Sequence, residues 1–170
     1  MTIEVQRYYL EINSVKDLSE ITKPSDIYRI NIVDPPDFQL NKFFYKQIGK
    51  KHRWIDRLIW NEKNWIKYVN NSNVKTFVLK EQNNLAGYFE QIFHKEELDC
   101  EIAYFGILED YFGRKLGGYL LSEAIKKSFR FGAKRVWVHT SSLDYKYALK
   151  NYLSRGMKIF KTEMLNVNLN

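Results

Sequence analysis

Cysteine is almost missing from this chain of 170 residues. Cys100 stands alone, which excludes an internal disulfide and suits a reducing compartment. Histidine occurs three times, and neither the histidines nor Cys100 fall at metal-ligand spacing, so no metal is expected. No apolar stretch of signal-peptide kind opens the sequence, and no run approaches the length of a membrane span. These absences lead to the expectation of a cytoplasmic protein with no membrane partner. With three prolines and eight glycines, the chain also lacks repeats, linkers and low-complexity tracts. Its length fits a single domain, 1–170, with a proper core.

What the chain does have is charge and rings. Its formal net charge is +7 and aromatic residues make up 16% of it, which predicts a ring-rich core or pocket. The basic residues are spread along the whole sequence, the densest group being Lys50-Lys51-His52-Arg53. A solvated surface accounts for such a scatter better than a nucleic-acid footprint does. A phosphate-rich ligand would draw on the same positive field.

Periodicity sets out the elements. Alternation predicts strands at 3–12, 27–33, 74–80, 85–94 and 98–107, a buried strand at 135–140, and a last strand over 157–167. Residues 14–21 read as one or two helical turns. Helical spacing predicts a helix from Asp37 to Lys51, and a further helical stretch through Trp54, Ile55, Leu58 and Ile59. Asn61 sits where a cap belongs, ahead of Trp65, Ile66 and Val69. A helix runs from the glycines near 117 to Phe131, and another from Tyr145 to Arg155. A strand–helix–strand unit around 100–140 implies a parallel pair, and the 74–110 meander implies antiparallel neighbours. The fold class is therefore mixed α/β.

Between Cys100 and Leu121 a strand, a glycine-rich turn and a helix follow one another. Alternation puts Glu101, Ala103, Phe105 and Ile107 on one strand face, with Ile102, Tyr104 and Gly106 on the other. The turn Gly113-Arg-Lys-Leu-Gly-Gly118 lets bare backbone N–H groups converge at a helix start, a place suited to a phosphate. Arg114 and Lys115 add charge beside it. The competing reading is that Gly113, Gly117 and Gly118 only permit a tight turn and close helix–sheet contact.

These residues resemble the GCN5-related N-acetyltransferase (GNAT) superfamily, over a core of about 98–160. Its signature is Gln or Arg, two residues, Gly, one residue, then Gly or Ala, between a strand and a helix. Here Phe112-Gly-Arg-Lys-Leu-Gly117 occupies that place: Gly117 matches, while Phe112 and Lys115 depart from it. A second register, from Arg114 to Gly117, matches the first two positions and leaves Tyr119 at the last. Glu101-Ile-Ala-Tyr-Phe-Gly-Ile107 resembles the strand that carries the base of the histone-acetyltransferase branch. Ala148, Tyr152, Gly156 and Met157 are similar in spacing to the second signature, whose Tyr lies near the coenzyme sulfur.

The resemblance implies a mostly antiparallel central sheet with a splayed parallel pair, flanked by helices. It implies an N-acetyltransferase that moves an acetyl group from acetyl-CoA to a primary amine, by direct attack in a ternary complex. Phe105, Gly106, Ile107 and Leu108 would bind the pantetheine. Gly113, Arg114, Lys115, Leu116, Gly117 and Gly118 would bind the pyrophosphate. Glu101 is the first candidate base, Glu90 the second and His139 the third, while Tyr152 would protonate the departing thiolate. Helices within 37–70 would face the acceptor, a small-molecule or peptide amine. The basic balance favours an acidic or neutral acceptor over a polyamine. Homodimers are frequent among similar proteins. The departures at Phe112 and Lys115 motivate an alternative, a non-catalytic module that keeps the fold and binds acyl-CoA.

Overall fold

A computed structural model describes residues 1–168. Seven strands form one sheet: β1 (Thr2–Ile12), β2 (Tyr28–Ile32), β3 (Val74–Glu81), β4 (Asn84–His94), β5 (Asp99–Ile107), β6 (Arg135–Ser141) and β7 (Lys158–Asn168). Their order across the sheet is β2-β3-β4-β5-β6-β1-β7. Every pairing is antiparallel except β5 with β6. Four helices accompany them: α1 (Phe38–Gly49), α2 (Glu62–Val69), α3 (Leu116–Arg130) and α4 (Ala148–Ser154). Among the described residues no helix is long and apolar enough to cross a membrane.

Local signals explain the helix starts. The Asp37 carboxylate accepts from the Gln39 N–H at 3.0 Å and opens α1. Asn61 and Asn64 cap each other reciprocally at the start of α2, a capping box built from two amides. The predicted helix through Trp54–Ile59 does not form; the chain makes a series of turns there. Arg53 adopts a left-handed φ of 55°, and the Arg57 N–H donates to the Tyr45 hydroxyl at 3.0 Å instead of to a helical carbonyl. Two other predicted helices are shorter than expected. Residues 14–21 yield one 3₁₀ turn, Val15–Asp17, and α4 starts at Ala148 instead of Tyr145.

The main core lies between the sheet and α3, with Leu10, Phe89, Ile102, Leu120, Leu121, Ile125, Val136 and Tyr152 all buried. A second cluster lies under α1, where Phe44 stacks on Tyr88 with ring centroids 4.7 Å apart. Because the β4–β5 register shifts between Glu90 and Gln91, a bulge at Ala103 reverses the strand alternation. Ile102, Phe105 and Ile107 consequently join the core on the α3 side, while Tyr104 packs on the α1 side. This corrects the alternation expected from sequence, which grouped Ile102 with Tyr104 and Glu101 with Phe105.

Candidate active site

β5 and β6 are paired over only three rungs, Asp99–Arg135, Cys100–Val136 and Glu101–Trp137. Asp99 clamps this short ladder by accepting from Arg135 at 3.2 Å and from the Trp137 indole at 3.1 Å. Beyond it the strands part, and their facing backbone edges border a cavity of about 380 Å³. Ala103 to Ile107 line one side, and Val138, His139 and Ser141 the other.

The 108–118 connection bounds one end of this wedge. After a 3₁₀ turn at Glu109–Tyr111, Gly113 (φ 78°) and Lys115 (φ 62°) both take the left-handed conformation. The former is natural for glycine and the latter uncommon for a lysine. No side chain caps α3, so its first-turn N–H groups remain open, as an anion site requires. Gly113, Lys115, Leu116, Gly117 and Gly118 all line the cavity. The Leu116 side chain is itself part of the core. A Cβ on Gly118 would come within 2.8 Å of the Arg155 guanidinium, so that glycine also serves close packing.

Two predicted cofactor residues sit elsewhere than expected, and a third, Gly106, lines the cavity but packs against α1. The exposed Arg114 pairs with Glu81 at 2.7 Å and does not line the cavity. Leu108 packs toward α1 and donates its N–H to the Ala86 carbonyl. Gly106 lines the cavity, yet the room a Cβ would take is filled by Ile48, 2.7 Å away. That glycine accommodates α1 because the bulge turned it to the α1 face.

Of the candidate proton-transfer groups, Tyr152 lines the cavity beside Phe105, and burial, with Asp144 nearby, pushes its phenol well up so that it stays protonated. His139 also lines it; burial first, then the Arg7 charge, hold its imidazole below the ordinary histidine value. Glu101 is not among the lining residues. It lies beside His94, 3.6 Å away, and burial raises its pKa against the pull of that histidine. Glu90 is fully buried and spent on structure: it takes Arg57 at 2.9 and 3.2 Å, the Tyr68 hydroxyl at 2.7 Å and the Asn41 amide at 2.8 Å.

The cavity also gathers residues that sequence patterns did not single out: Arg7, Trp54, Asp56, Asp144, Tyr145 and Asn151. They come from β1, the turns after α1, the β6–α4 connection and α4, and no spacing links them. Phe112, at the signature position expected to hold Gln or Arg, stacks on Tyr145 with centroids 4.7 Å apart. Trp54 donates its indole N–H to Asp144 at 3.1 Å, tying the 50–60 turns to the β6–α4 connection.

A model described as the acetyltransferase (GNAT) family matches residues 28–157. No curated protein matches the chain significantly. Among solved structures, a GCN5-related N-acetyltransferase from Kribbella flavida superposes with TM-score 0.70 at 13% identity, covering 99% of this chain and 60% of that one. An aminoglycoside acetyltransferase from an uncultured soil metagenomic sample, solved with sisomicin, gives TM-score 0.66 at 15% identity over 78% of this chain and 90% of its own. These identities speak for a shared fold.

Proposed function

Because the chain belongs to the acetyltransferase (GNAT) family, we propose that it is an N-acetyltransferase that moves an acetyl group from acetyl-CoA to a primary amine. The observation that carries this reading is the wedge between β5 and β6, which connects the uncapped start of α3 to Tyr152 and His139. The residues present fit the donor. The open N–H groups of Leu116, Gly117 and Gly118 suit a pyrophosphate, and Lys115 has no ion-pair partner among the described residues. The unpaired edge of β5 from Tyr104 to Ile107 offers backbone groups to the amides of the pantetheine arm.

In the transfer, the acceptor nitrogen attacks the thioester carbonyl carbon, the carbon–sulfur bond breaks, and the nitrogen gives up a proton. Tyr152, kept protonated by burial, supplies a proton to the departing sulfur. His139, held neutral in the cavity wall, receives the proton from the amine. Glu101 lies on the adjacent strand opposite Trp137, two residues before His139, and stands outside the cavity wall, so the direct proton transfer is assigned to His139. Glu90 is assigned to the Arg57 pair and takes no part. The helices between 37 and 70 and their connecting turns form the acceptor side.

Calorimetry with CoA and a thiol-release assay with acetyl-CoA over a panel of amines test the reading. Saturable CoA binding and amine-dependent thiol release are expected; no CoA binding would end it. His139→Gln should lower kcat by about 10²-fold or more, the scale of a lost general base, and Glu101→Gln by less. CoA binding with no release against any amine would favour an acyl-CoA-binding module, a reading motivated by Phe112 and Lys115.

A further inference from the structure

Arg7 and Asp56, of opposite sign, line the cavity near His139 and make no ion pair among the described residues. Arg7, on β1, has a buried Nε with no acceptor, and its guanidinium meets no carboxylate within ion-pair distance among the described residues. Glu163 stands across from it on β7 but is engaged by Lys161 at 2.7 Å and by the Tyr9 hydroxyl at 3.0 Å. Asp56 is exposed to the cavity and makes no hydrogen bond or ion pair among the described residues. Its position is nevertheless fixed. The next residue, Arg57, is anchored by its N–H on Tyr45 and by its guanidinium on Glu90.

Asp144 is the other carboxylate in the wall, and it is not free. One oxygen accepts from Trp54, and the other from the Thr140 hydroxyl at 2.6 Å and the Ser141 N–H at 3.0 Å. A buried guanidinium nitrogen left without an acceptor carries an uncompensated desolvation cost, which a ligand's acceptor would remove. Arg7 and Asp56 both act electrostatically on His139, which places the two charges in one neighbourhood around that imidazole. Rings and aliphatic groups fill out the same wall: Trp54, Tyr104 and Tyr145, with Val5 and Leu165.

We propose that the acceptor is a free amino acid with an apolar or aromatic side chain, its carboxylate held by Arg7 and its amino group drawn to Asp56 beside His139. The inference rests on the acetyl-transfer reading and narrows it. A cation and an anion facing one cavity match a small zwitterion, and the rings match its side chain. Arg suits the carboxylate because its planar fork binds two oxygens at once. A peptide N-terminus offers the amine without the adjacent carboxylate, so it would leave Arg7 unmet.

The test compares phenylalanine, phenylalaninamide and phenethylamine as acceptors for the full chain with acetyl-CoA. Phenylalanine should have the highest kcat/KM, by about tenfold or more, the scale of a charge-assisted hydrogen bond. Arg7→Gln should erase that preference, mainly through KM for phenylalanine, and Arg7→Lys should restore part of it. Asp56→Asn should raise KM for all three. A preference for the amide or the amine would overturn the proposal, as would Arg7→Gln shifting all three equally. Circular dichroism checks that each variant folds. If CoA binds but no acceptor releases thiol, calorimetry of phenylalanine on the CoA complex still decides. Binding that Arg7→Gln abolishes supports the assignment, and no binding overturns it, whereas absence of CoA binding removes the transferase reading itself.

Discussion

Lys115 shows how a single residue can break a local rule. Its φ of 62° is a conformation that glycine adopts freely and a lysine adopts at a cost of about 1–2 kcal/mol. The family signature expects Gly at this position, and the backbone keeps the glycine-like shape although the residue is lysine. Lys115→Gly should therefore leave stability unchanged or raise it by up to about 1 kcal/mol in urea denaturation. The same change should weaken CoA binding several-fold by calorimetry, more at low salt than at high. In the sequence, glycines and apolar spacing mark the turn and the helix start. Nothing local marks the partners of Phe112 or Arg114, because Tyr145 and Glu81 come from distant parts of the chain.

His139 gives a prediction with a definite sign. Burial and Arg7 lower its pKa in the folded chain, so the unfolded chain takes up the proton first as the solution is acidified. The stability it contributes is whole above about pH 6.5 and is lost as pH falls through the folded value. The urea-midpoint difference between wild type and His139→Gln should narrow below about pH 6.5. A pH-independent difference would show that the imidazole does not titrate in this way.

At the scale of elements, the turns between α1 and α2 matter most. Helical spacing at Trp54, Ile55, Leu58 and Ile59 was real, but tertiary bonds outweighed it. Arg57 sits among the rings of Tyr45, Trp60, Trp65, Tyr68 and Tyr104, 4.1–5.8 Å from their centroids, and pairs with Glu90. Both side chains are almost fully buried, at 6% and 0% exposure. Removing one partner strands the other, so Arg57→Met should cost about 3–5 kcal/mol. Adding Glu90→Gln should recover much of that loss while keeping an acceptor for Tyr68 and Asn41, as a double-mutant cycle by urea titration would reveal. Among variants that fold, loss of this anchor should raise KM for the acceptor more than for acetyl-CoA, because Trp54 and Asp56 ride on it. Strands were legible from alternation, with bounds within a residue or two. The Ala103 bulge was not, since nothing local marks it and the mismatch with β4 decides it.

For the whole molecule, the mixed sheet and the parallel pair followed from strand–helix–strand spacing and the meander. The place of β1 between β6 and β7 did not, because nothing in residues 2–12 names a partner more than a hundred residues away. The same distance scattered Arg7, Asp56 and Asp144 through the sequence while the fold collected them. That placement of β1 also bears on how the chain folds. The β3–β5 meander closes through short loops, whereas β1 pairs, among the described residues, with the last two strands. The first strand of the chain must wait, unpaired, until the final third is present. Long-range closure of this kind slows folding, and here it makes completion of the sheet and completion of the cavity wall that carries Arg7 one and the same event.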